Sequence, residues 1–159
     1  MEKRLKFFKA SISDLEEIQK LFVQTIKAAG PAHYNPAQIN TWISSVKNTS
    51  RWTEAIKDQY FLLSKIEDTL VGFASLKGGC YIDFMYVHYK HFRKGIAKQL
   101  LAQLEKEALE LGHYELTADV SKTALAFFEL NGFKMEKENQ NIRNGVLITN
   151  YRMKKILQD

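Results

Sequence analysis

Three apolar segments that follow one another between residues 60 and 87 constrain the fold of this chain more than any other feature. Residues 60–66 and 69–76 flank a Glu67-Asp68 turn, which favours a β-hairpin. Residues 80–87 are almost continuously apolar, which is typical of a buried strand. A strongly amphipathic helix then begins at Gly95 and ends at Gly112. Strands that lead directly into such a helix predict a mixed sheet with helices packed on it.

The rest of the chain surrounds this centre with further short elements. Ser13 and Glu16 have the spacing of a helix capping box, Gly30-Pro31 ends that first helix, and Asn35 caps a second. The order predicts a single-domain α/β (α+β) fold over residues 1–159. It has a twisted, mixed but mostly antiparallel sheet of about seven strands, with helices on both faces. The other predicted elements are strands at 5–10, 114–120, 133–137 and 146–153, and helices near 52–56 and at 122–130.

Composition excludes several classes of protein. Of 159 residues, 45% are apolar and 26% charged, as in soluble globular proteins, and no apolar run approaches the ~20 residues of a membrane span. The first residues, MEKRLKFFK, lack the apolar region of a signal peptide, and Cys80 has no partner for a disulfide, so we expect a cytoplasmic protein. The net charge of +5 suits an anionic ligand. A nucleic-acid-binding module is the alternative, but no recognition motif supports it.

Residues 88–98 form a basic segment that runs from the end of the predicted strand at 80–87 into the first turn of the amphipathic helix; its loop part is called the basic loop. The segment holds Lys90, Arg93, Lys94 and Lys98 and no acid. A helix N-terminus presents free N–H groups and partial positive charge, and Gly95 allows a ligand to approach the backbone. This pattern is typical of a phosphate site, although a solvated basic turn has the same composition. No P-loop or dinucleotide fingerprint is present.

The segment from residue 82 to 101, IDFMYVHYKHFRKGIAKQLL, resembles the acetyl-CoA-binding motif of the GNAT superfamily of N-acetyltransferases. In that motif an apolar strand precedes Gln/Arg-x-x-Gly-x-Gly/Ala and a helix. Gly95 and Ala97 fit the last two fixed positions, whereas Phe92 stands where Gln or Arg is usual. The resemblance implies that residues around this motif bind acetyl-CoA: Met85, Tyr86, Val87, Phe92, Arg93, Lys94, Gly95, Ile96, Ala97 and Lys98.

A second segment, SKTALAFFELNGF at residues 121–133, resembles the next motif of the same superfamily. It implies cofactor contacts from Ser121, Ala124, Phe127 and Phe128, the last of which stands where a tyrosine is common. The order of elements matches from end to end. YID-x-x-YVH, SKTA-x-x-FF and GVLITNYRM are similar to an uncharacterised bacterial branch of the superfamily.

The resemblance implies an acetyl-CoA-dependent N-acetyltransferase that acts on a primary amine of a small acceptor. Asp83, the ionised residue within an apolar strand, is the candidate base, although its side chain can equally face a polar surface. Because Phe128 cannot donate a proton, Tyr151 and Tyr86 are candidate acids, with packed aromatic residues as the alternative reading. The departures at Phe92 and Phe128 also allow a CoA-binding domain without catalysis.

The resemblance also implies a pocket for the acceptor. The resemblance places its pocket at the loops of residues 29–58 and 138–146, which points to His33 and Tyr34. The four histidines lack metal-ligand spacing, so we expect no metal. We expect no nucleic-acid or membrane partner, and either a monomer or a homodimer.

Overall fold

A computed structural model describes residues 4–157 as one mixed sheet of seven strands, in the order β1-β2-β3-β4-β5-β7-β6. Neighbouring strands are antiparallel except for β4 and β5, which are parallel. The predicted fold class and strand number are confirmed. The strands are β1 (Leu5–Lys9), β2 (Tyr60–Ile66), β3 (Thr69–Lys77), β4 (Tyr81–Val87), β5 (Glu115–Ser121), β6 (Lys134–Arg143) and β7 (Val146–Ile156). The helices are α1 (Leu15–Ala29), α2 (Pro36–Ile43), α3 (Thr49–Asp58), α4 (Ile96–Glu110) and α5 (Leu125–Leu130).

Helices cover both faces of the sheet, as predicted, and each face has its own apolar core. On one face, leucines of α4 such as Leu100 and Leu104 pack with Phe128 of α5 on β-strand side chains. On the other, α1 and α3 contribute Phe22 and Trp52, whose rings meet edge to face at 4.9 Å. None of the helices described within residues 4–157 is long and apolar enough to cross a membrane.

The sheet opens at its centre, between β4 and β5. These two strands pair at only two positions, Tyr81 with Thr117 and Ile82 with Ala118, and then separate. A bulge lies at the same point, because the β3–β4 register shifts by one residue and leaves Asp83 without a partner on β3. Bulges bend a strand and increase its twist. The bend therefore turns β4 away from β5 where the opening begins.

The start of α1 differs from the prediction. The capping box expected at Ser13 and Glu16 is wrong, because a short 3-10 turn precedes the helix. Within that turn the Asp14 carboxylate accepts a hydrogen bond from the Ser11 N–H at 2.8 Å. The Ser13 hydroxyl lies 2.7 Å from the Ser11 hydroxyl instead. Since Asp14 satisfies the first free N–H, the cap forms two residues earlier than predicted.

The connection from α1 to α2 follows the prediction. α1 ends before Gly30, where an added Cβ would collide with the side chain of Ile39, so this glycine lets the two helices pack closely. Asn35 caps α2, because its side-chain oxygen accepts a hydrogen bond from the Gln38 N–H at 2.9 Å. The Gln38 side-chain oxygen in turn accepts from the Asn35 N–H, also at 2.9 Å. Pro36 occupies the first helical position.

The C-terminal region contains two corrections. The helix predicted at 122–130 begins only at Leu125, because the Ala124 N–H donates to the Ser121 hydroxyl at 3.2 Å and residues 122–124 form a turn. The loop predicted at 138–146 is wrong. β6 and β7 pair up to Arg143, and only Asn144 and Gly145, both with positive φ, make the turn.

Candidate active site

The opening between β4 and β5 leads into a cavity of ≈ 850 Å³. Its volume is that of a site for a large organic ligand. The walls come from both halves of the sheet, from α1 to α3 on one side and from the start of α4 on the other. One end is formed by the basic loop and the other by polar side chains of β4 to β7.

The basic loop, predicted from the sequence to bind a phosphate, lies at the first end of the cavity. Gly95 is the N-cap of α4 and has φ +77°, and Arg93 has φ +64°. Alternating backbone conformations of this kind turn successive N–H groups towards one point, where an anion binds. An added Cβ at Gly95 would meet nothing within 4 Å. The lining residues are Phe92, Arg93, Gly95, Ile96, Ala97 and Lys98, whereas Lys94 lies outside the lining.

The charges at this end suit an anionic ligand. Arg93 and Lys98 are exposed side chains that make no ion pair with any residue in the described range of 4–157. His91 also lines the cavity, and its Nδ1 is buried without a hydrogen-bond partner among the described atoms. Burial and the nearby Lys94 lower the pKa of His91. Two cationic side chains without an ion-pair partner and one unpaired ring nitrogen suit an anionic group such as a diphosphate.

The middle of the cavity is the gap between the separated strands. Met85, Tyr86 and Val87 line it from β4, and residues 118–121 line it from β5. Since these stretches do not pair with each other, backbone groups along their facing edges are available to an extended ligand. Ser121, Ala124, Phe127 and Phe128 line the far side; Phe128 is only 4% exposed and packs edge to face on Phe133 at 5.0 Å.

Asp83, the candidate base, lies at the bulge of β4 and is almost fully committed to other side chains. Arg51 of α3 holds both of its oxygens, at 2.8 and 2.9 Å, and Gln59 donates to it at 2.7 Å. Burial acts to raise the pKa of Asp83, but these donors outweigh it and the pKa is lowered. The side chain is 8% exposed. These contacts favour one role for Asp83, that of a permanent anion that orients Arg51. They do not favour its use as a base that accepts a proton.

A second carboxylate, Asp119 of β5, lies on the other side of the opening and was not predicted. It accepts hydrogen bonds from Arg152 at 2.7 and 2.8 Å, from the Tyr81 hydroxyl at 2.8 Å and from Asn139 at 2.8 Å. Burial acts to raise the pKa of Asp119, and the donors, with Arg152 first, lower it overall. Burial and the Asp119 contact raise the pKa of Tyr81.

Amide side chains of β6 and β7 extend this network. Asn150 accepts from Asn139 at 2.9 Å and from Asn141 at 3.0 Å across the two strands. These bonds also explain why residues 138–143 form a strand although their sequence is polar. Throughout the described residues 4–157, no three His, Cys, Asp or Glu side chains group as they would around a metal.

The two candidate acids lie in different places. Tyr86 lines the cavity and packs on Phe22 at 4.9 Å and Phe73 at 5.5 Å. Burial raises the pKa of Tyr86. Tyr151 packs against the core under α4 and α5, on the opposite face, and is not among the residues that line the cavity. The structure therefore brings only Tyr86 to the opening.

The two candidate pocket residues also separate. Tyr34 lines the cavity, is 5% exposed and uses its hydroxyl twice, donating to the Thr149 carbonyl at 2.8 Å and accepting from the Lys122 N–H at 2.9 Å. His33 lies on the surface, where its Nδ1 is 3.3 Å from the Thr123 hydroxyl. Tyr34 thus ties the α1–α2 connection to β7 and to the turn after β5.

Sequence reasoning missed Arg51, Asp119 and Arg152, for a physical reason. Asp119 and Arg152 meet because β5 and β7 pair in a register that sets them opposite each other. A polar residue inside an otherwise apolar strand was the available signal at Asp119, as it was at Asp83. No local pattern marks Arg51 as a partner of Asp83, 32 residues away.

The chain is similar to known proteins over nearly its whole length. The acetyltransferase (GNAT) domain family matches residues 31–155. The uncharacterized N-acetyltransferase YafP of Escherichia coli (strain K12) is 32% identical over 141 residues, which cover 89% of each protein. A GCN5-related N-acetyltransferase from Rhodopseudomonas palustris is 29% identical with a TM-score of 0.90, over 99% of this chain and 97% of that one. PaiA N-acetyltransferase from Thermoplasma acidophilum, solved in complex with coenzyme A, has a TM-score of 0.79 at 24% identity, over 96% and 99%.

Proposed function

Since this chain belongs to the GNAT family of acetyltransferases, we propose that it transfers an acetyl group from acetyl-CoA to the primary amine of a small acceptor. The observation that carries the proposal is the arrangement of the opening between β4 and β5. It runs from the Gly95 N-terminus of α4, which suits phosphates, to a polar chamber between the two halves of the sheet. Similarity to an N-acetyltransferase over 89% of the chain supports the reaction class.

The donor end is assigned from charge and backbone geometry. The first-turn N–H groups of α4, together with Arg93 and Lys98, bind the diphosphate. The free edge of β4 at Met85, Tyr86 and Val87 pairs with the extended arm and directs N–H groups at the thioester oxygen, where they stabilise negative charge. Bound acetyl-CoA supplies an activated acetyl group. The complex of PaiA, a relative in fold, with coenzyme A supports this assignment.

The acceptor amine must lose a proton before it reacts. An unperturbed lysine-type amine has a pKa of about 10.4, so its deprotonation at about pH 7.4 costs about 4 kcal/mol. Asp83 is the candidate base by position, but its contacts with Arg51 and Gln59 favour a role in orienting Arg51. Tyr86 is the better placed of the two candidate acids, because it lines the cavity and Tyr151 does not.

Binding and turnover test the proposal separately. Isothermal titration should show acetyl-CoA binding, and release of free CoA thiol in the presence of a panel of primary amines should show transfer. The matched ligand is pantetheine, which has the thiol arm of CoA but no phosphate. Because it lacks the diphosphate, it is expected to bind far more weakly. Acetyl-CoA that fails to bind at millimolar concentration would contradict the donor site.

A CoA-binding domain without catalysis is the second candidate. It is favoured by one specific observation: both carboxylates at the opening, Asp83 and Asp119, are held in ion pairs with arginines. Acetyl-CoA binding without thiol release, with any amine of a broad panel, would support it. The single domain, the cytoplasmic location and a monomeric or homodimeric state stay predictions.

A further inference from the structure

The polar end of the cavity has few free hydrogen-bond acceptors on its charged groups. Asp119 accepts four hydrogen bonds, two on each oxygen, and Asp83 accepts three. An ionised carboxylate has about four acceptor positions, so the two are close to saturated by the protein itself. A cationic group of a ligand would find about one open acceptor position, on Asp83, and would otherwise have to displace a donor of the protein.

Free donors, in contrast, remain at this end of the cavity. A guanidinium carries five N–H donors, and Arg51 and Arg152 each use two of theirs on a carboxylate. Arg143 lines the same cavity, and its exposed side chain has no hydrogen bond or ion pair with any residue of the described range 4–157. Three guanidinium groups face two carboxylates here, which leaves one uncompensated positive charge.

Two of the three arginines, Arg51 and Arg152, are held in place before a ligand arrives. The Arg51 guanidinium lies over the Phe84 ring at 4.7 Å, and that of Arg152 lies over the Tyr81 ring at 5.8 Å. Arg143 follows Asn139 and Asn141 at two-residue spacing along β6, so all three point to the same face of the sheet. Because ring and carboxylate contacts already fix the guanidiniums of Arg51 and Arg152, these side chains lose little freedom when they bind a further carboxylate.

We propose that the acceptor is an amine that also carries a carboxylate, as an amino acid does, and that the cavity's free guanidinium donors bind this group. The inference rests on the proposed acetyl transfer and narrows its substrate class. Trp42, Phe84 and Tyr86 line the same chamber and give it an apolar surface, so apolar amino acids fit best. Arg143 is the specificity residue, because among the three arginines at this end of the cavity it is the one without a carboxylate partner within residues 4–157.

Matched acceptors test the class directly. Thiol release from acetyl-CoA is measured with leucine, methionine and phenylalanine, with their amides, and with the corresponding amines that lack the carboxylate. Mass spectrometry identifies the N-acetyl products. We expect kcat/KM to be at least about tenfold higher for the carboxylates, the worth of one charge-assisted hydrogen bond. The amides have less basic amines, so amine protonation works against this result rather than for it.

Variants locate the recognition. Arg143→Gln should raise KM for the carboxylates about tenfold and leave that for the amides unchanged, whereas Arg143→Lys should keep part of the preference. Lys137→Gln removes one positive charge from the same strand outside the cavity and should change neither. Acetyl-CoA affinity, measured by titration, should be equal in all four proteins.

The outcomes separate this inference from the proposed function. Amides or plain amines that react as fast as the carboxylates overturn it, and so does a panel in which no carboxylate reacts although acetyl-CoA binds. An Arg143→Gln protein with an unchanged preference overturns the role of Arg143. Failure to bind acetyl-CoA in every variant would instead remove the donor site.

Discussion

Replacing Gly95 by glutamate should weaken acetyl-CoA binding by at least about 100-fold while leaving the protein folded. The residue has φ +77°, and a Cβ there would meet nothing within 4 Å, so the substitution adds backbone strain but no clash. A left-handed conformation costs a non-glycine residue about 1–2 kcal/mol. A carboxylate about 6 Å from one phosphate charge, at an effective dielectric of about 20, adds about 3 kcal/mol of repulsion, or about 100-fold in affinity.

The chain offers a matched control at the other end of the same helix. Gly112 also has positive φ, +84°, and open space around its Cβ position, but it lies outside the cavity. Glutamine at either position adds the same strain and nearly the same bulk as glutamate but no charge. Comparison of the glutamine and glutamate variants therefore gives the effect of the charge alone. We expect Gly95→Gln and Gly112→Gln to lower the free energy of unfolding by similar amounts, about 1–2 kcal/mol.

Isothermal titration of acetyl-CoA into the four variants and the parent gives the decisive comparison. Gly95→Glu should bind about 100-fold more weakly than Gly95→Gln, and added salt should reduce that ratio because it screens the repulsion. Both Gly112 variants should bind like the parent. A Gly95→Glu protein that binds within threefold of its glutamine counterpart, or a Gly112→Glu protein that fails to bind, would refute the reasoning.

Three further predictions concern the carboxylates and Tyr34. Asp83→Asn should lower kcat at least about 100-fold if Asp83 is the base, but should mainly raise KM if it orients Arg51; we expect the second, and a kcat loss of the first size would contradict it. The pKa values of Asp83 and Asp119 in the folded protein lie below the unfolded value of about 3.9. Their contribution to the free energy of unfolding is therefore fully present above about pH 3.9 and is lost as the pH falls through the folded pKa values. Urea unfolding at pH 7 and pH 3 checks this, and Asp119→Asn should show the smaller difference. Tyr34→Phe removes a hydroxyl that bonds two backbone groups and should cost about 1–3 kcal/mol of unfolding free energy; an unchanged urea midpoint would show that water replaces it.

The parts of the fold that depend on local patterns were predictable from the sequence. The helix that follows Gly95, the Asn35 cap and the hairpin of β2 and β3 each have an apolar period or a turn signal within a few residues. The strand at residues 138–143 was not predictable, because its sequence is polar and has no apolar period. Its asparagine side chains pair with β7 through hydrogen bonds between side-chain amides. Its extent depends on tertiary context.

The candidate site divides in the same way. Its donor end follows from one contiguous segment around Gly95, and the structure gives that segment the geometry of an anion site. Its polar end is built from two ion pairs, Arg51 with Asp83 and Asp119 with Arg152, whose partners are separated by 32 and 33 positions in the sequence. Such pairs need a sheet register and a packed helix, neither of which a single sequence displays.

The two residue pairs that join β4 to β5 also determine how the molecule distributes its rigidity. Backbone hydrogen bonds are sparse at this junction, so amide protons on the facing edges should exchange with solvent faster than those inside β2 and β3. A ligand in the gap would bridge the halves, adding about 2.7 kcal/mol of stability at a concentration 100 times its dissociation constant. Slowed exchange along both edges would follow. Such a ligand would occupy the place of a strand between β4 and β5 and would join the two halves of the sheet.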